Sequence, residues 1–395
     1  MNALSRLLNL SHEEKAMRGL LHTPAEIAQQ PHTWATTFLS VQRKRPEIEQ
    51  FLKAAGVFPQ TGERPTVFLI GAGTSDYIGQ SLAHLFREKW QCEVSAVAST
   101  DLLTGFEDYI LRGQKYLWIS FSRSGDSPEG VAVLEKALRE CPEVSHLVVS
   151  CNAEGKMARD HREDPRVFTL LLDDSVNDRG LAMTSSFSNM VVCGQCLAHV
   201  RTLEEYERVL HALIASGERF LETSADCAAA LAQGPYTNAC FVGAGALKAV
   251  ARESALKLLE LTAGRITTMA ESTLGLRHGP IAALNEDTLF VCFVSSEDAK
   301  QRYEFDLLHE IGTKKLVRKR IAIGIDEKNG FERVADIVLA PQLRVPIRDA
   351  YRPPLDVIFG QMLGLFFSIR YNLRPDEPSP NGTISRVVQK FHIHV

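Results

Sequence analysis

Two kinds of apolar segment each occur twice in this 395-residue chain, and both recur at the same spacing. The first ends in Gly-Ala-Gly and contains Gly71 in one copy and Gly243 in the other. The second contains Phe121 and Phe293, which are separated by the same number of residues as the two glycines. Because an equal offset at two places is not expected by chance, the spacing predicts a duplicated domain.

In the first copy, both apolar segments run into hydroxyl side chains and glycine. The first is followed by Gly73, Thr74 and Ser75; the second by Ser122, Arg123, Ser124, Gly125 and Ser127. Helical spacing of apolar residues follows each loop. Backbone N–H groups at a helix N-terminus carry partial positive charge, so a strand, a Ser/Gly loop and a helix can hold a phosphate without a lysine. The same pattern is also typical of an ordinary Ser-rich turn with a capped helix.

Two details of the sequence restrict the class of ligand that this site could bind. The third glycine of a dinucleotide fingerprint would fall on Asp76, which argues against a Rossmann cofactor site. In the second copy Val294 replaces Ser122, and no glycine corresponds to Gly125. The sequence therefore predicts a small phosphorylated ligand held by the first copy alone.

Strand and helix patterns alternate along most of the chain, which predicts parallel sheets of the α/β class. The predicted strands are residues 66–70, 93–98, 115–121, 146–150, 166–172, 239–242, 267–270, 288–294, 320–325 and 336–339. Residues 4–57 are predicted to be helical, interrupted at Pro24, Pro31 and Pro46, and 188–233 form a helical linker. The predicted organisation is a helical segment (1–57), two domains (58–215 and 216–374) and a tail (375–395).

Composition excludes several classes of function. A net charge of −4 gives no general basic field for nucleic acid or acidic membranes. The longest apolar run, 357–369, is too short to span a bilayer, and the N-terminus lacks the order of a signal peptide, so we expect a cytoplasmic protein. The eight cysteines are mostly scattered singly, as reduced thiols would be. Cys193 and Cys196 match C-x-x-C, but their apolar helical context favours helix packing over a redox or metal role.

A second group of residues has acid–base character. Glu253, Lys257 and Glu260 are spaced so that all three lie on one face of a predicted helix. This spacing is also typical of a solvent-exposed ion pair. His278 follows shortly afterwards, between Arg277 and a Gly-Pro turn; a loop histidine can be structural or can act in acid–base catalysis.

Taken together, these motifs resemble the sugar isomerase (SIS) domain family, in particular the isomerase half of glucosamine-6-phosphate synthase. Nearly the whole chain is also similar to bacterial galactosamine-6-phosphate deaminase/isomerases, notably in the segments 182–186, 251–257 and 382–389. The resemblance implies two tandem SIS domains, each a flavodoxin-like α/β/α sandwich with a parallel sheet, preceded by a helical extension.

The resemblance also implies a role for each motif residue. The sugar phosphate would be held by Ser75, Ser122, Arg123, Ser124 and Ser127, and the sugar would be contacted by Gly73, Thr74, Thr184 and Ser185. Relatives often have glutamine at the position of Arg123. Glu260 would move a proton between C1 and C2 of the sugar, with Glu253 and Lys257 as charged neighbours, and His278 would open the ring. The tail lysine of the synthase would correspond to Gln389 or Lys390, and its role stays open.

The synthase's amidotransferase half has no counterpart in this chain, which favours ammonia release over ammonia use. The implied reaction converts galactosamine 6-phosphate to tagatose 6-phosphate and ammonia, with no metal or organic cofactor. Two alternatives remain: a ketose/aldose isomerase that leaves nitrogen untouched, and a non-catalytic sugar-phosphate sensor. The resemblance further implies a homo-oligomer, a dimer or a dimer of dimers, in which His278 serves the neighbouring subunit's site.

Overall fold

The computed structural model describes residues 1–59, 62–324, 330–341, 346–389 and 391–394. The chain forms two compact units, each assembled from three segments. The first-sheet unit comprises Thr33–Asn177, Ser185–Arg208 and Ser385–Val395, and the second-sheet unit comprises Met1–His32, Asp178–Thr184 and Val209–Ile384. The boundaries read from the sequence, after residues 57, 215 and 374, stay predictions.

The helices and strands alternate along the chain. The helices are α1 (Ala3–Leu8), α2 (His12–Arg18), α3 (Thr23–Arg43), α4 (Arg45–Ala54), α5 (Thr74–Trp90), α6 (Ser99–Thr104), α7 (Phe106–Tyr109), α8 (Pro128–Glu140), α9 (Lys156–Arg159), α10 (Ser185–Ala198), α11 (Leu203–Ala232), α12 (Ala246–Leu261), α13 (Asp298–Thr313) and α14 (Pro353–Arg370). The strands are β1 (Thr66–Gly71), β2 (Val94–Ala98), β3 (Tyr116–Ser122), β4 (Val144–Ser150), β5 (Val167–Leu171), β6 (Asn238–Gly243), β7 (Thr267–Ser272), β8 (Thr288–Phe293), β9 (Lys319–Ile323) and β10 (Ile337–Leu339).

Each unit contains a five-stranded sheet in which every pairing is parallel. The first sheet has the order β2-β1-β3-β4-β5, and the second, read from its β7 edge, has the equivalent order β7-β6-β8-β9-β10. The central strands β3 and β8 are buried along their whole length, as expected for parallel strands covered on both faces. The predicted α/β class with two parallel sheets is confirmed.

The predicted strands are all present, with ends shifted by one or a few residues. The last residue predicted for the ninth strand, Ile325, lies outside the described residues. The apolar runs located the central strands because a parallel strand that is covered on both faces needs apolar side chains along its length.

The expected interruption at Pro31 is wrong, because α3 continues through this proline. Proline has no N–H to donate to the carbonyl four residues earlier, which is that of Ile27. The side-chain amide of Gln30 donates to this carbonyl instead, at 2.9 Å, and also to Gln361 Oε1 at 2.7 Å. A side chain thus replaces the missing backbone hydrogen bond. Pro24 and Pro46, by contrast, lie in the first turns of α3 and α4, where proline is tolerated.

None of the eight cysteines forms a disulfide. Cys193 and Cys196 are buried on α10, and burial raises the pKa of both thiols. Gly194 lies between them in sequence, where a Cβ would overlap the Leu82 side chain of α5, so this motif is a helix-packing contact. None of the helices in the described ranges is long and apolar enough to cross a membrane.

Candidate active site

The turn after β1 is shaped by two glycines. A Cβ on Gly71 would overlap the backbone of Ser75, so only glycine lets the helix begin this close to the strand end. Gly73, the residue before α5, has φ 56° and ψ −123°, a conformation that L side chains rarely adopt. As a result, Thr74 and Ser75 occupy the first turn of α5, and both are buried.

The second-sheet unit contains the same turn without its hydroxyls. A Cβ on Gly243 would overlap the backbone of Leu247, and Gly245 has φ 57° and ψ −127°. The residues that correspond to Thr74 and Ser75 are therefore Ala246 and Leu247. The backbone turn is kept in both units, but only the first-sheet unit offers hydroxyl groups there.

The loop after β3 is held by its own serines. The N–H of Gly125 donates to Ser122 Oγ at 3.0 Å, and the N–H of Asp126 donates to Ser124 Oγ at 3.2 Å. Gly125 has φ 67°, in the left-handed region that glycine favours. Ser127 is the residue before α8, but its side chain does not cap the helix. Because β1 and β3 are neighbours in a parallel sheet, this loop and the Gly73 turn lie at the same edge.

A second loop, residues 152–157, which the sequence analysis missed, contacts the Ser122–Ser127 loop. The side-chain amide of Asn152 donates to the Ser124 carbonyl at 2.8 Å, and the N–H of Met157 donates to the Gly125 carbonyl at 3.0 Å. A Cβ on Gly155 would lie 2.8 Å from the Cα of Gly125. An Asn and a Gly directly after a predicted strand were the available signals. These contacts hold the Ser122–Ser127 loop in one conformation before any ligand binds.

Arg123 extends this loop toward the C-terminal tail. Its side chain is buried, and its guanidinium donates to the main-chain carbonyl of Arg386. Arg386 in turn donates from Nη2 to Asn177 Oδ1 at 2.7 Å. Gln389 is exposed, and Lys390 lies outside the described residues. Arg386 was missed by the sequence analysis, although it is a basic residue within the tail motif that carried the resemblance.

The corresponding loop of the second sheet is filled by carboxylates from its own unit. Ser295 donates from its hydroxyl to Asp349 Oδ2 at 2.5 Å and from its N–H to Glu304 Oε2 at 2.9 Å. The N–H of Ser296 donates to Asp349 Oδ1 at 2.7 Å. Arg352, fully buried, binds Asp356 Oδ2 at 2.6 Å and balances part of this charge. The hydroxyl and N–H groups that could bind an anion in this loop already donate to Asp349 and Glu304.

Helix α12 carries a buried ion-pair group. Lys257 is only 1% exposed; its Nζ lies 3.4 Å from Glu253 Oε1 and 2.5 Å from Glu260 Oε2. Glu253 is fully buried, whereas the Glu260 side chain is 24% exposed. The alternative of a solvent-exposed ion pair is therefore wrong. Burying charged groups is costly unless they are paired, so this group is a strong candidate for chemistry, with Glu260 as its solvent-reachable member.

The burial of this group depends on α14, which packs against α12. A Cβ on Gly360 would overlap the side chain of Ser254, and a Cβ on Gly364 would lie 2.9 Å from the Lys257 carbonyl oxygen. Two glycines one turn apart let the helix backbones approach closely. The sequence contained this signal as Gly-x-x-x-Gly within its longest apolar run, but the run alone did not indicate its partner.

His278 follows a 3-10 turn, Gly275–Arg277, in the same unit as α12. The residue is exposed, while neighbouring Leu276 is buried and Arg277 pairs with Glu310 at 2.8 Å. Across the described ranges, no hydrogen bond or ion pair involves the His278 ring. The turn is anchored by the two residues before His278, and His278 itself is exposed.

The remaining substrate-binding candidates lie at the start of α10. Thr184 is fully buried; both its N–H and its hydroxyl bond Asp178, at 2.7 and 3.1 Å. Ser185 is also buried, and its carbonyl accepts from the Asn189 amide at 2.9 Å. Their contacts with a sugar stay a prediction. In the part of the chain that is described, no group of three or more His, Cys, Asp or Glu is arranged to hold a metal ion.

Comparison with known proteins gives close relatives over nearly the full length. AgaS of Streptomyces coelicolor is 38% identical over 378 residues, which are 95% of this chain and 95% of the relative. The D-galactosamine-6-phosphate deaminase AgaS of Escherichia coli is 33% identical, over 94% of this chain and 95% of its own. The crystal structure of tagatose-6-phosphate ketose/aldose isomerase from Escherichia coli matches with a TM-score of 0.86 and 30% identity, covering 94% of this chain and 96% of the other. No protein-family model matches the chain.

Proposed function

The chain belongs to the AgaS family of sugar isomerase proteins, and from this premise we propose that it converts galactosamine 6-phosphate to tagatose 6-phosphate and ammonia. The observation that carries the proposal is the buried Lys257, which pairs with one buried carboxylate and one partly exposed carboxylate. A sugar-phosphate sensor needs only the phosphate loop and gains nothing from a buried charged group with one reachable carboxylate. The family relatives named as deaminases supply the substrate and the direction.

The phosphate of the substrate is assigned to the first-sheet unit. Ser75, Ser122, Ser124 and Ser127, together with the N-termini of α5 and α8, provide hydroxyl and backbone N–H donors. Arg123 adds a positive charge in the same loop. Fixing the far end of the sugar raises the effective concentration of its C1–C2 region at the catalytic groups.

The chemistry is assigned to Glu260 and His278. His278 transfers the proton that opens the pyranose ring and yields the free aldehyde at C1. Glu260 then takes the proton from C2 while the C1 oxygen gains a proton, giving an enolamine. It returns its proton to C1, and loss of an N–H proton leaves a ketimine at C2. Water hydrolyses the ketimine to the ketose and releases the nitrogen as ammonia. Lys257 and Glu253 hold Glu260 in position for this transfer.

The proposal includes a cytoplasmic homo-oligomer in which His278 serves the site of a neighbouring subunit. The solvent-facing position of His278 supports a partner contact, and eight cysteines without a disulfide fit a reducing compartment. Mixing inactive His278→Ala and Glu260→Gln subunits should restore part of the activity, because a hybrid assembly then contains sites with both groups intact. No recovery after verified subunit exchange would place both residues in one chain's site.

The substrate is tested by measuring ammonia and ketose formation on a panel of sugar 6-phosphates. Galactosamine 6-phosphate should give both products in equal amounts, and glucosamine 6-phosphate, which differs only at C4, should be poorer by roughly 10-fold or more, since one hydroxyl loses its partner. Ketose formation from non-amino sugars without ammonia from amino sugars would indicate a plain isomerase. Binding without turnover on any member of the panel would indicate a sensor.

A further inference from the structure

We infer that Arg386 is a positioning residue for the phosphate site: the tail segment 385–389 holds Arg123 in place, so that tail docking and phosphate binding strengthen each other. The inference rests on the proposed function, because it deepens the role given to the Ser122–Ser127 loop. It assigns a role to the tail that neither Gln389 nor Lys390 accounts for.

Three contacts within the first-sheet unit carry the inference. Arg123 follows the last residue of β3 and lies inside the proposed phosphate loop. Its guanidinium donates to the main-chain carbonyl of Arg386, and the Arg386 guanidinium donates to Asn177 Oδ1 at 2.7 Å. Asn177 is itself buried, and its N–H donates to the Asp174 carbonyl at 3.0 Å. The tail is therefore held through both the main-chain carbonyl and the side chain of Arg386.

The chemistry of arginine explains why this arrangement matters to a phosphate. A guanidinium carries five N–H donors in a rigid plane, so an arginine can bind the tail carbonyl and other acceptors at the same time. An arginine that is already ordered loses less conformational entropy when it binds an anion. Since the tail supplies a main-chain carbonyl, the side-chain bond from Arg386 to Asn177 keeps that carbonyl in place.

Coupling of this kind must act in both directions. If a docked tail improves phosphate affinity, bound phosphate must stabilise the docked tail by the same factor. Arg386 and Val387 are half-buried, and Ser385 and Val388 on either side of them are exposed, so a protease can reach the segment once it detaches. Both directions can therefore be measured.

The decisive experiment is a double-mutant cycle on binding of inorganic phosphate, measured by calorimetry on the full-length protein. Arg386→Ala and Asn177→Ala should each weaken phosphate binding by roughly 2- to 10-fold, the range expected for ordering one long side chain. The double variant should be no weaker than the single variants, because all three lack the same bond. Arg162→Ala, which removes an exposed arginine of the same unit, should leave affinity unchanged, and Asn177→Asp should retain it.

Additive losses in the cycle, or equal affinity in wild type and both single variants, would overturn the inference. Absence of phosphate binding by the wild type would overturn it together with the phosphate assignment. Phosphate should also slow tryptic cleavage after Arg386 in the wild type, and an unchanged rate at saturating phosphate would contradict the coupling. Ammonia release is not used in this cycle, so failure of the proposed substrate is seen separately.

In steady-state assays, Arg386→Ala should raise KM for the sugar phosphate while kcat changes by less than roughly 2-fold, since the proton-transfer groups are untouched. A fall in kcat at unchanged KM would instead place Arg386 in the chemical step and contradict a positioning role.

Discussion

A Cβ added to Gly364 would lie 2.9 Å from the main-chain oxygen of Lys257. Alanine favours an isolated helix over glycine by about 1 kcal/mol, but a contact this close forces the two helices apart. Overpacking costs about 1–3 kcal/mol, which should exceed the gain in helix propensity. Gly364→Ala should therefore lower the free energy of unfolding in denaturant titrations. Arg370→Ala, at the exposed end of the same helix, is the control; a more stable Gly364→Ala variant would contradict the packing described.

Glu260→Gln should lower turnover by about 10²-fold or more, because the amide cannot accept the C2 proton. KM should stay nearly unchanged, since the proposed phosphate-binding residues do not include Glu260. Steady-state kinetics checks both values, with Glu218→Gln, an exposed residue on α11, as the matched control. Near wild-type turnover would rule out Glu260 as the base.

Lys257→Met should destabilise the fold by about 3–5 kcal/mol, because it leaves the buried Glu253 carboxylate without its ammonium partner. Adding Glu253→Gln to this variant removes the uncompensated charge and should recover part of the loss. Chemical denaturation of the two single variants and the double variant measures the coupling. A double variant as unstable as the sum of the singles would show that the ion pair does not explain the burial.

Gly125→Ala should raise KM for the sugar phosphate by roughly 10-fold, the loss expected for one displaced hydrogen bond. Its Cβ would lie 3.1 Å from the Cα of Gly155 and would shift the loop away from its contacts with residues 152–157. Gly113→Ala is a matched control, since Gly113 also has a positive φ of 80° but no atom within 4 Å of its added Cβ. Equal effects of the two variants on KM would attribute the change to backbone strain alone.

His146 gives a pH dependence of stability. It is fully buried, its two ring nitrogens have no hydrogen-bond partner among the described residues, and burial together with the nearby Arg166 lowers its pKa to about 3. Above its ordinary pKa near 6.5 the ring is neutral in both states and no stability is lost. Below that pH the unfolded chain takes up the proton first, so stability should fall by roughly 1 kcal/mol for each pH unit until about pH 3.

The variant His146→Phe should show a shallower loss of stability with acid than the wild type, because phenylalanine keeps the edge contact with Trp118 but cannot titrate. Denaturation at several pH values between 7 and 4 measures the difference, with His84→Gln, an exposed histidine, as control. Parallel pH profiles for wild type and His146→Phe would contradict a buried neutral histidine.

Local patterns were sufficient to predict much of the fold. The largely apolar run at Tyr116–Ser122, ending in a Ser/Gly loop, indicated a strand buried on both faces. The glycines at 71 and 73 are required by the turn itself, within a few residues of chain. The hydroxyls that follow were readable for the same reason. The break predicted at Pro31 is absent because the Gln30 side chain replaces the missing backbone hydrogen bond, and the position of that side chain depends on the folded protein.

The sequence by itself determined the strand–turn–helix units, the loss of hydroxyls in the second copy, and the single helix face shared by Glu253, Lys257 and Glu260, because each depends on residues within a few turns of one another. Whether that face meets solvent or protein was decided only by tertiary structure, where Gly360 and Gly364 bring α14 against α12 from about a hundred residues away. The bond between Arg123 and Arg386 was decided in the same way. Burial is a property of distant segments packing together, and no local spacing records which segment will provide it.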